Sequence, residues 1–198
     1  MSRDMSLLRA FLAIPLPGPL QDSIVALQRD LREQIPLARW TRPENLHLTL
    51  HFFGEITQEF LEKLKVSVLS VKGCQRPFSV EVKGLGAFPC RRRPRVIWLG
   101  LEPEAQLRQL HGNCMKVLLG TGLVTGPEPY SPHLTIGRLR QQKPDLTDLC
   151  NSVARSPIGR LPVDRLVLYE SRLHSGGAEH IPRLTVNLDD ESSPEQNS

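Results

Sequence analysis

The sequence predicts an α+β protein made of two similar halves, and three observations support this. A short motif occurs twice, as His47-Leu48-Thr49-Leu50 and as His133-Leu134-Thr135-Ile136. Each copy alternates polar and apolar residues, as a half-buried strand does. Each also follows the same series: an apolar run, a stretch with apolar residues at helical spacing, and a proline. The chain therefore resembles a duplicated unit, with pseudo-repeats at about residues 7–90 and 94–188.

The first half begins with an apolar run at residues 8–14, which predicts a strand. A proline-rich turn follows, and Pro19 suits the first turn of a helix that runs to about Gln34, because proline lacks only an N–H that has no partner there. After the first motif, Thr57 is placed to cap a second helix ending near Gly73. Alternation over 78–85 then predicts a strand, with Gly84 and Gly86 as candidate bulge points.

The second half repeats this order. Residues 96–101 predict a strand, and apolar residues from Leu107 to Val117 predict a helix that ends at the glycines of 120–122. A short helix from Asp145 to about Ala154 follows the second motif. Residues 161–173 and 181–188 predict the last two strands. The acidic, polar segment 189–198 predicts a disordered tail. No linker with a change of composition appears, so residues 1–188 are expected to form one bilobal domain.

Composition narrows the function classes. A chain of 198 residues can bury a sizeable core, and a net charge of +4 is a mild basic bias that suits an anionic partner. The four cysteines form no C-x-x-C pair, so no metal site is expected. Residues 1–8 lack the apolar core of a secretory signal, so a cytoplasmic protein with reduced thiols is expected. No apolar run approaches the roughly 20 residues of a spanning helix, so a membrane protein is not expected.

The two motifs resemble those of the two-histidine (2H) phosphoesterases. Residues 40–50, followed by Phe52-Phe53-Gly54, are similar to the first motif of their bacterial and archaeal RNA 2′,3′-cyclic phosphodiesterase branch, historically called 2′-5′ RNA ligases. Residues 95–100, 131–138 and 168–173 fit the same branch in the same order, and the resemblance covers about residues 9–188. It implies two antiparallel sheets that face a central cleft, with helices outside. It also implies hydrolysis of RNA 2′,3′-cyclic phosphodiester ends to 2′-phosphomonoesters.

The motif spacing suits this chemistry. Side chains at i and i+2 leave a strand by the same face, so His47 lies beside Thr49, and His133 beside Thr135. Two imidazoles can share the work of base and acid near neutral pH, while the threonine hydroxyls donate to the phosphoryl oxygens. Neither a metal nor another cofactor is then required. The spacing does not say which histidine is the acid; the resemblance implies that His47 gives the proton and His133 takes one from water.

Arg138 matches an arginine that follows the second motif in this branch and meets the phosphate or nucleotide. In a plain strand it would lie on the face opposite His133, whereas a bulge at Gly137 would turn it to the same face. The cluster Arg91–Arg95 is either a solvated loop or a basic rim for the phosphates of a longer RNA. His174 and His180 flank a glycine-rich turn and are predicted to face solvent.

Several alternatives remain open on the sequence. The same two histidines would serve 2′-5′ RNA ligation, in which a 5′-hydroxyl replaces water. A small cyclic phosphate is another candidate substrate, although the Arg91–Arg95 cluster favours RNA. A non-catalytic RNA-binding module is a third alternative, which the presence of both histidines and both threonines argues against. The protein is expected to be a monomer. Its expected partner is its substrate, an RNA or oligonucleotide with a cyclic phosphate end.

Overall fold

The computed structural model describes residues 7–124, 129–140, 144–153, 157–175 and 177–189. A single turn of 3₁₀ helix, Pro43–Asn45, precedes the first motif. The strands and α-helices, in chain order, are β1 (Leu8–Pro15), α1 (Gly18–Gln34), β2 (Arg39–Trp40), β3 (His47–Ile56), α2 (Gln58–Leu69), β4 (Phe78–Phe88), β5 (Val96–Glu102), α3 (Glu104–Gly120), β6 (Leu134–Arg138), α4 (Thr147–Val153), β7 (Pro157–Val163), β8 (Arg165–His174) and β9 (Gly177–Asn187).

The strands form two antiparallel sheets, which confirms the predicted α+β class. One sheet has the order β3-β1-β8-β9 and the other the order β2-β6-β5-β4-β7. Strand β3 carries the first motif, and β6 carries the second from its Leu134 onward. The two motif strands also contact each other, so they bring the sheets together at one place.

Each sheet contains strands from both halves of the chain. Strand β4 follows the first motif but pairs with β5 and β7, whereas β8 and β9 follow the second motif but extend the sheet of β1. The single strand predicted over 161–173 is therefore wrong: it is two strands in different sheets, separated at Asp164. Two adjacent polar residues, Asp164 and Arg165, interrupt the alternation at that point, but such a pattern does not say which sheet a strand joins.

The helix ends follow the expected local chemistry. Helix α1 has a proline in its first turn and buries Leu20, Ile24 and Leu31. The hydroxyl of Thr57 caps α2 by accepting a hydrogen bond from the backbone N–H of Phe60 at 3.1 Å, as predicted. Gly84 has φ +76° at a register shift in β4, which confirms one of the two predicted bulge points, whereas Gly86 pairs with Trp98 without a shift. Ala154 and residues 190–198, which include most of the predicted tail, lie outside the described residues.

One apolar core unites both sheets and the helices. Leu12 and Leu48 belong to the first sheet and Ile97 and Leu99 to the second, and all four are fully buried in the same cluster. Burying a side chain of this size stabilises the fold by about 1.5–3 kcal/mol. Across the described residues, no helix has the length and apolar character needed to cross a membrane.

Gln28 is a polar residue within this core, and it joins the two halves. Its side chain is 3% exposed. The Nε2 amide donates to the carbonyl of Thr41 and to the carbonyl of Ile136, both at 2.9 Å. Helix α1 is thereby tied both to the segment before the first motif and to the strand of the second.

We expect the substitution Gln28→Met to lower the free energy of unfolding by about 1–3 kcal/mol, because a thioether of similar size leaves two buried carbonyls without this donor. Denaturant titration measures the loss. Gln34→Met, at an exposed position of the same helix, is the matched control, with an expected change within about 0.5 kcal/mol. Equal losses in the two variants would contradict the bridging role.

Candidate active site

The five predicted site residues line a single cleft between the sheets. His47, Thr49, His133, Thr135 and Arg138 all contribute to a cavity of about 850 Å³. The residues that alternate with them point the other way: Leu48 and Leu134 are fully buried, for example. Strand alternation therefore separates the polar cleft face from the core, as the motif spacing predicts.

Both histidines are held in the same tautomer. His47 donates from Nδ1 to the carbonyl of Asn45 at 2.8 Å, and His133 donates from Nδ1 to the carbonyl of Ser131, also at 2.8 Å. A carbonyl oxygen only accepts, so each Nδ1 carries a hydrogen. In each neutral ring, Nε2 is then the free base, and it is the atom available for proton transfer.

The two motif strands are braced by hydroxyl groups from opposite halves of the chain. Thr41, from the segment before the first motif, donates from Oγ1 to the carbonyl of Thr135 at 3.1 Å. Tyr130, from the segment before the second motif, donates from its phenol to the carbonyl of Thr49 at 3.3 Å. Each motif threonine is therefore fixed in position by the approach to the other motif.

A bulge turns Arg138 into the cleft. Ile97 pairs with Gly137 and Trp98 pairs with Thr135, so Ile136 is an extra residue on β6. This reverses the alternation beyond Ile136, and Arg138 shares the cleft with His133. The predicted bulge is thus present, with Ile136 and not Gly137 as the unpaired residue.

A similar register shift in β3 exposes an aromatic ring that sequence reasoning missed. Leu12 pairs with His51 and Ala13 with Thr49, so that Phe52, and not His51, lines the cleft. Phe52 is 64% exposed, an unusual position for a phenyl ring. The adjacent pair Phe52-Phe53 was the available signal, because two neighbouring strand residues cannot both enter the core.

The cleft is strongly basic. Five arginines line it, and the described lining residues include no carboxylate. They are Arg9, Arg39, Arg42, Arg138 and Arg140. The Arg91–Arg95 cluster does not line the cleft, and Arg91 donates to the side chain of Asn151 at 3.0 Å. The basic field that an anionic ligand meets therefore comes from dispersed arginines, not from the dense cluster in the sequence.

Burial and neighbouring positive charge oppose the protonation of His47. Desolvation is the larger cause and the charge of His180 the next, with smaller contributions from Arg138 and His133. The Asn45 carbonyl acts in the opposite direction. The result lowers the pKa of His47 from 6.5 to about 4, so its ring is neutral near pH 7 until an anion lies beside it.

His180 was predicted to face solvent, but the structure places it beside His47. It lines the cleft, and its ring centroid lies 5.0 Å from that of His47 and 4.9 Å from that of Phe11. The reason is that β9 begins at Gly177 and not at Ile181, so His180 lies inside the strand, opposite Ser171. His174, in contrast, is exposed as predicted and contacts Glu179 at 3.1 Å. No group of three or more His, Cys, Asp or Glu in the described parts of the chain is arranged to hold a metal ion.

Comparison with known proteins shows which family model this chain matches. The family model described as LigT-like phosphoesterase matches the chain in two consecutive segments, residues 14–98 and 99–178. The RNA 2′,3′-cyclic phosphodiesterase of Methanothermobacter thermautotrophicus is 31% identical, over 85% of this chain and 92% of its own.

Solved structures agree with the fold. The crystal structure of TT0787 of Thermus thermophilus superposes with a TM-score of 0.75 at 28% identity, over 92% of this chain and 99% of its own. Escherichia coli LigT, solved in complex with phosphate, superposes with a TM-score of 0.68 at 25% identity, over 93% and 99% of the two chains.

The lowered pKa of His47 makes stability depend on pH. Between about pH 6.5 and 4 the unfolded chain binds a proton at this site that the folded protein does not, so acidification through this window lowers the free energy of unfolding. His47→Gln removes that contribution. We expect its loss of stability between pH 7.5 and 4.5 to be smaller than that of the wild type.

Denaturant titrations at the two pH values measure this difference. His174→Gln, at an exposed position, is the control and is expected to behave as the wild type does. An unchanged pH dependence in His47→Gln would show that His47 does not resist protonation in the folded protein.

Proposed function

Because the chain belongs to the LigT-like phosphoesterase family, we propose that it hydrolyses RNA 2′,3′-cyclic phosphodiester ends to 2′-phosphomonoesters, with His47 and His133 as acid and base. The observation that carries the proposal is the pair of imidazoles, each with Nδ1 held by a backbone carbonyl, in one cleft lined by both sheets. The name of the Methanothermobacter relative supports the same activity.

The reaction requires one proton to leave water and one to reach the departing oxygen. His133 Nε2 takes the proton from water, whose oxygen forms a new bond to phosphorus. The bond from phosphorus to the 3′ oxygen breaks, and His47 Nε2 gives that oxygen its proton, so the phosphate stays on the 2′ oxygen. His47 is neutral near pH 7 in the free protein, and the phosphodiester anion raises its pKa on binding, which prepares it to donate.

Thr49 and Thr135 stabilise the charge that develops on the phosphoryl oxygens. Each threonine is two residues after a motif histidine and lines the same cleft. The backbone carbonyl of each threonine accepts a hydrogen bond from a hydroxyl of the other half of the chain. Preorganised donors of this kind act without rearranging during the reaction. Arg138 adds a fixed positive charge in the same cleft.

The extent of the basic cleft favours RNA over a small cyclic phosphate. Arg39, Arg42 and Arg140 line the cleft in addition to Arg138, and they suit phosphates of neighbouring nucleotides. The exposed ring of Phe52 adds a face on which a base can stack. The additional arginines would serve little purpose for a substrate with a single phosphate.

The other expected properties follow from the same geometry. One chain supplies both motifs to the cleft, so we expect a monomer to be sufficient for activity. The four cysteines are free, which supports a reducing compartment such as the cytoplasm. Ligation by the reverse reaction would use the same histidines; analysis of products from nicked RNA with a cyclic end separates it from hydrolysis.

We expect His47→Ala and His133→Ala each to lower kcat/KM on an oligonucleotide with a 2′,3′-cyclic end by about 10²- to 10⁴-fold, because each removes a proton-transfer group. The double variant should lose little more than the single ones, since acid and base act as a unit. Activity should persist in EDTA. His51→Ala, on the same strand but outside the cleft, is the matched control and should keep most of its activity. Wild-type turnover in either single variant would refute the scheme.

The basic cleft gives a separate test of substrate size. We expect the double substitution Arg39→Ala and Arg140→Ala to raise KM for an oligonucleotide more than for a cyclic mononucleotide. The slope of log affinity against log salt should also fall by about one unit per arginine that contacts a phosphate. Arg32→Ala, exposed on α1, is the control. Equal effects on both substrates would favour a small cyclic phosphate as the natural ligand.

A further inference from the structure

We propose that His180 is a positioning residue for His47: a third imidazole, held across the His47 ring by the β8–β9 hairpin, that fixes the orientation of this ring and places a second ionisable group against it. The catalytic meaning of this proposal rests on the proposed function, but its geometric basis does not. The two rings cross at 77° with their centroids 5.0 Å apart. They are on strands β3 and β9, which are at opposite edges of the same sheet.

Asn45 joins His47 to the strand that carries His180. The carbonyl of Asn45 accepts from His47 Nδ1 at 2.8 Å, and the side-chain amide of the same residue donates to the carbonyl of Ala178 at 2.7 Å. Ala178 is two residues before His180 on β9 and shares its strand face. The single residue Asn45 therefore sets the position of the His47 ring and of the strand that carries His180.

Phe11 packs against both imidazoles. Its ring centroid is 4.7 Å from that of His47 and 4.9 Å from that of His180, and the residue is 3% exposed. The ring of Tyr169 stacks on that of Phe11, with their centroids 5.2 Å apart. With this packing against its face and the Asn45 bond at its edge, the His47 ring has one orientation, which keeps Nε2 toward the cleft.

The charges around His47 favour its neutral form. The ionisable groups near it are His180 from β9, Tyr169 from β8, and His133 and Arg138 from the second motif. None of these is a carboxylate. Glu44 is close to His47 in sequence, and Glu179 is next to His180. Both line a neighbouring pocket with His180, and neither lines the cleft that His47 lines.

His180 is the neighbour whose charge weighs most on His47. Among charged groups its effect on the pKa of His47 is the largest, ahead of Arg138 and His133. Burial also lowers the pKa of His180 itself, and with the two ring centroids 5.0 Å apart, protonation of one ring disfavours protonation of the other. His47 then gains its proton only after the phosphate anion has entered, which couples the charging of His47 to substrate binding.

The test is an NMR titration of His47 Hε1 in the full-length protein without substrate. Replacing His180 by Phe keeps an aromatic ring and removes the charge. His180→Gln also removes the charge but keeps a polar side chain. We expect the midpoint of His47 to move upward by about half a pH unit or more in both variants, since one nearby like charge is gone. The limb of the kcat/KM profile that belongs to His47 should move in the same direction.

His174→Phe is the matched control, because it removes an imidazole of the same hairpin that contacts Glu179 and not His47. We expect it to leave the His47 midpoint unchanged. An unchanged midpoint in folded His180→Phe or His180→Gln would overturn the proposal. If neither variant folds, the wild type decides: coupled, two-step titration of His47 and His180 supports the proposal, and two independent single-step curves overturn it.

This test is independent of turnover. A wild type that is inactive on cyclic phosphate ends would refute the proposed function, while the His47 midpoints would still report on His180. Conversely, normal activity with an unaltered midpoint in the variants would refute the role of His180 and leave the proposed function intact.

Discussion

The cleft depends on a reciprocal constraint between the two motif strands. The hydroxyl of Thr41 holds the carbonyl of Thr135, and the hydroxyl of Tyr130 holds the carbonyl of Thr49. A net hydrogen bond contributes only about 1 kcal/mol to stability, so their importance is geometric. They fix the separation and register of two strands that belong to different sheets, and so of the side chains that these strands present to the cleft.

The exchange of strands between the sheets adds to this constraint. Because β4 pairs with β5 and β8 pairs with β1, neither half of the chain can complete its sheet alone. Gln28 then joins α1 to the carbonyls of Thr41 and Ile136 across the same junction. A separation of the lobes would expose one continuous apolar core and break these bonds together, so the spacing across the cleft is coupled to global folding.

The parts of the structure that sequence alone predicted are those set by local periodicity. The duplicated motif, helices α1, α2 and α3 and the cap at Thr57 follow from spacing and from residue chemistry within a few positions. The division at Asp164 does not, because the residues on both sides of it favour strand, and local pattern does not say that β7 and β8 join different sheets. The positions of Phe52 and His180 were missed for a related reason. Each depends on a register shift or a strand start that is fixed by the partner strand, and a one-residue change of register moves a side chain to the other face.

The electrostatics of the cleft place opposing demands on His47. The described lining residues include five arginines and no carboxylate, which favours an anionic ligand. The same positive field makes a protonated imidazole unfavourable. A carboxylate beside His47 would favour its protonation but would repel the phosphate. With arginines and His180 in its place, His47 is neutral near pH 7. In the proposed mechanism, the ligand itself would supply the negative charge that makes His47 an acid. Under the proposed mechanism, proton donation by His47 would therefore be restricted to the protein with a phosphodiester bound in the cleft.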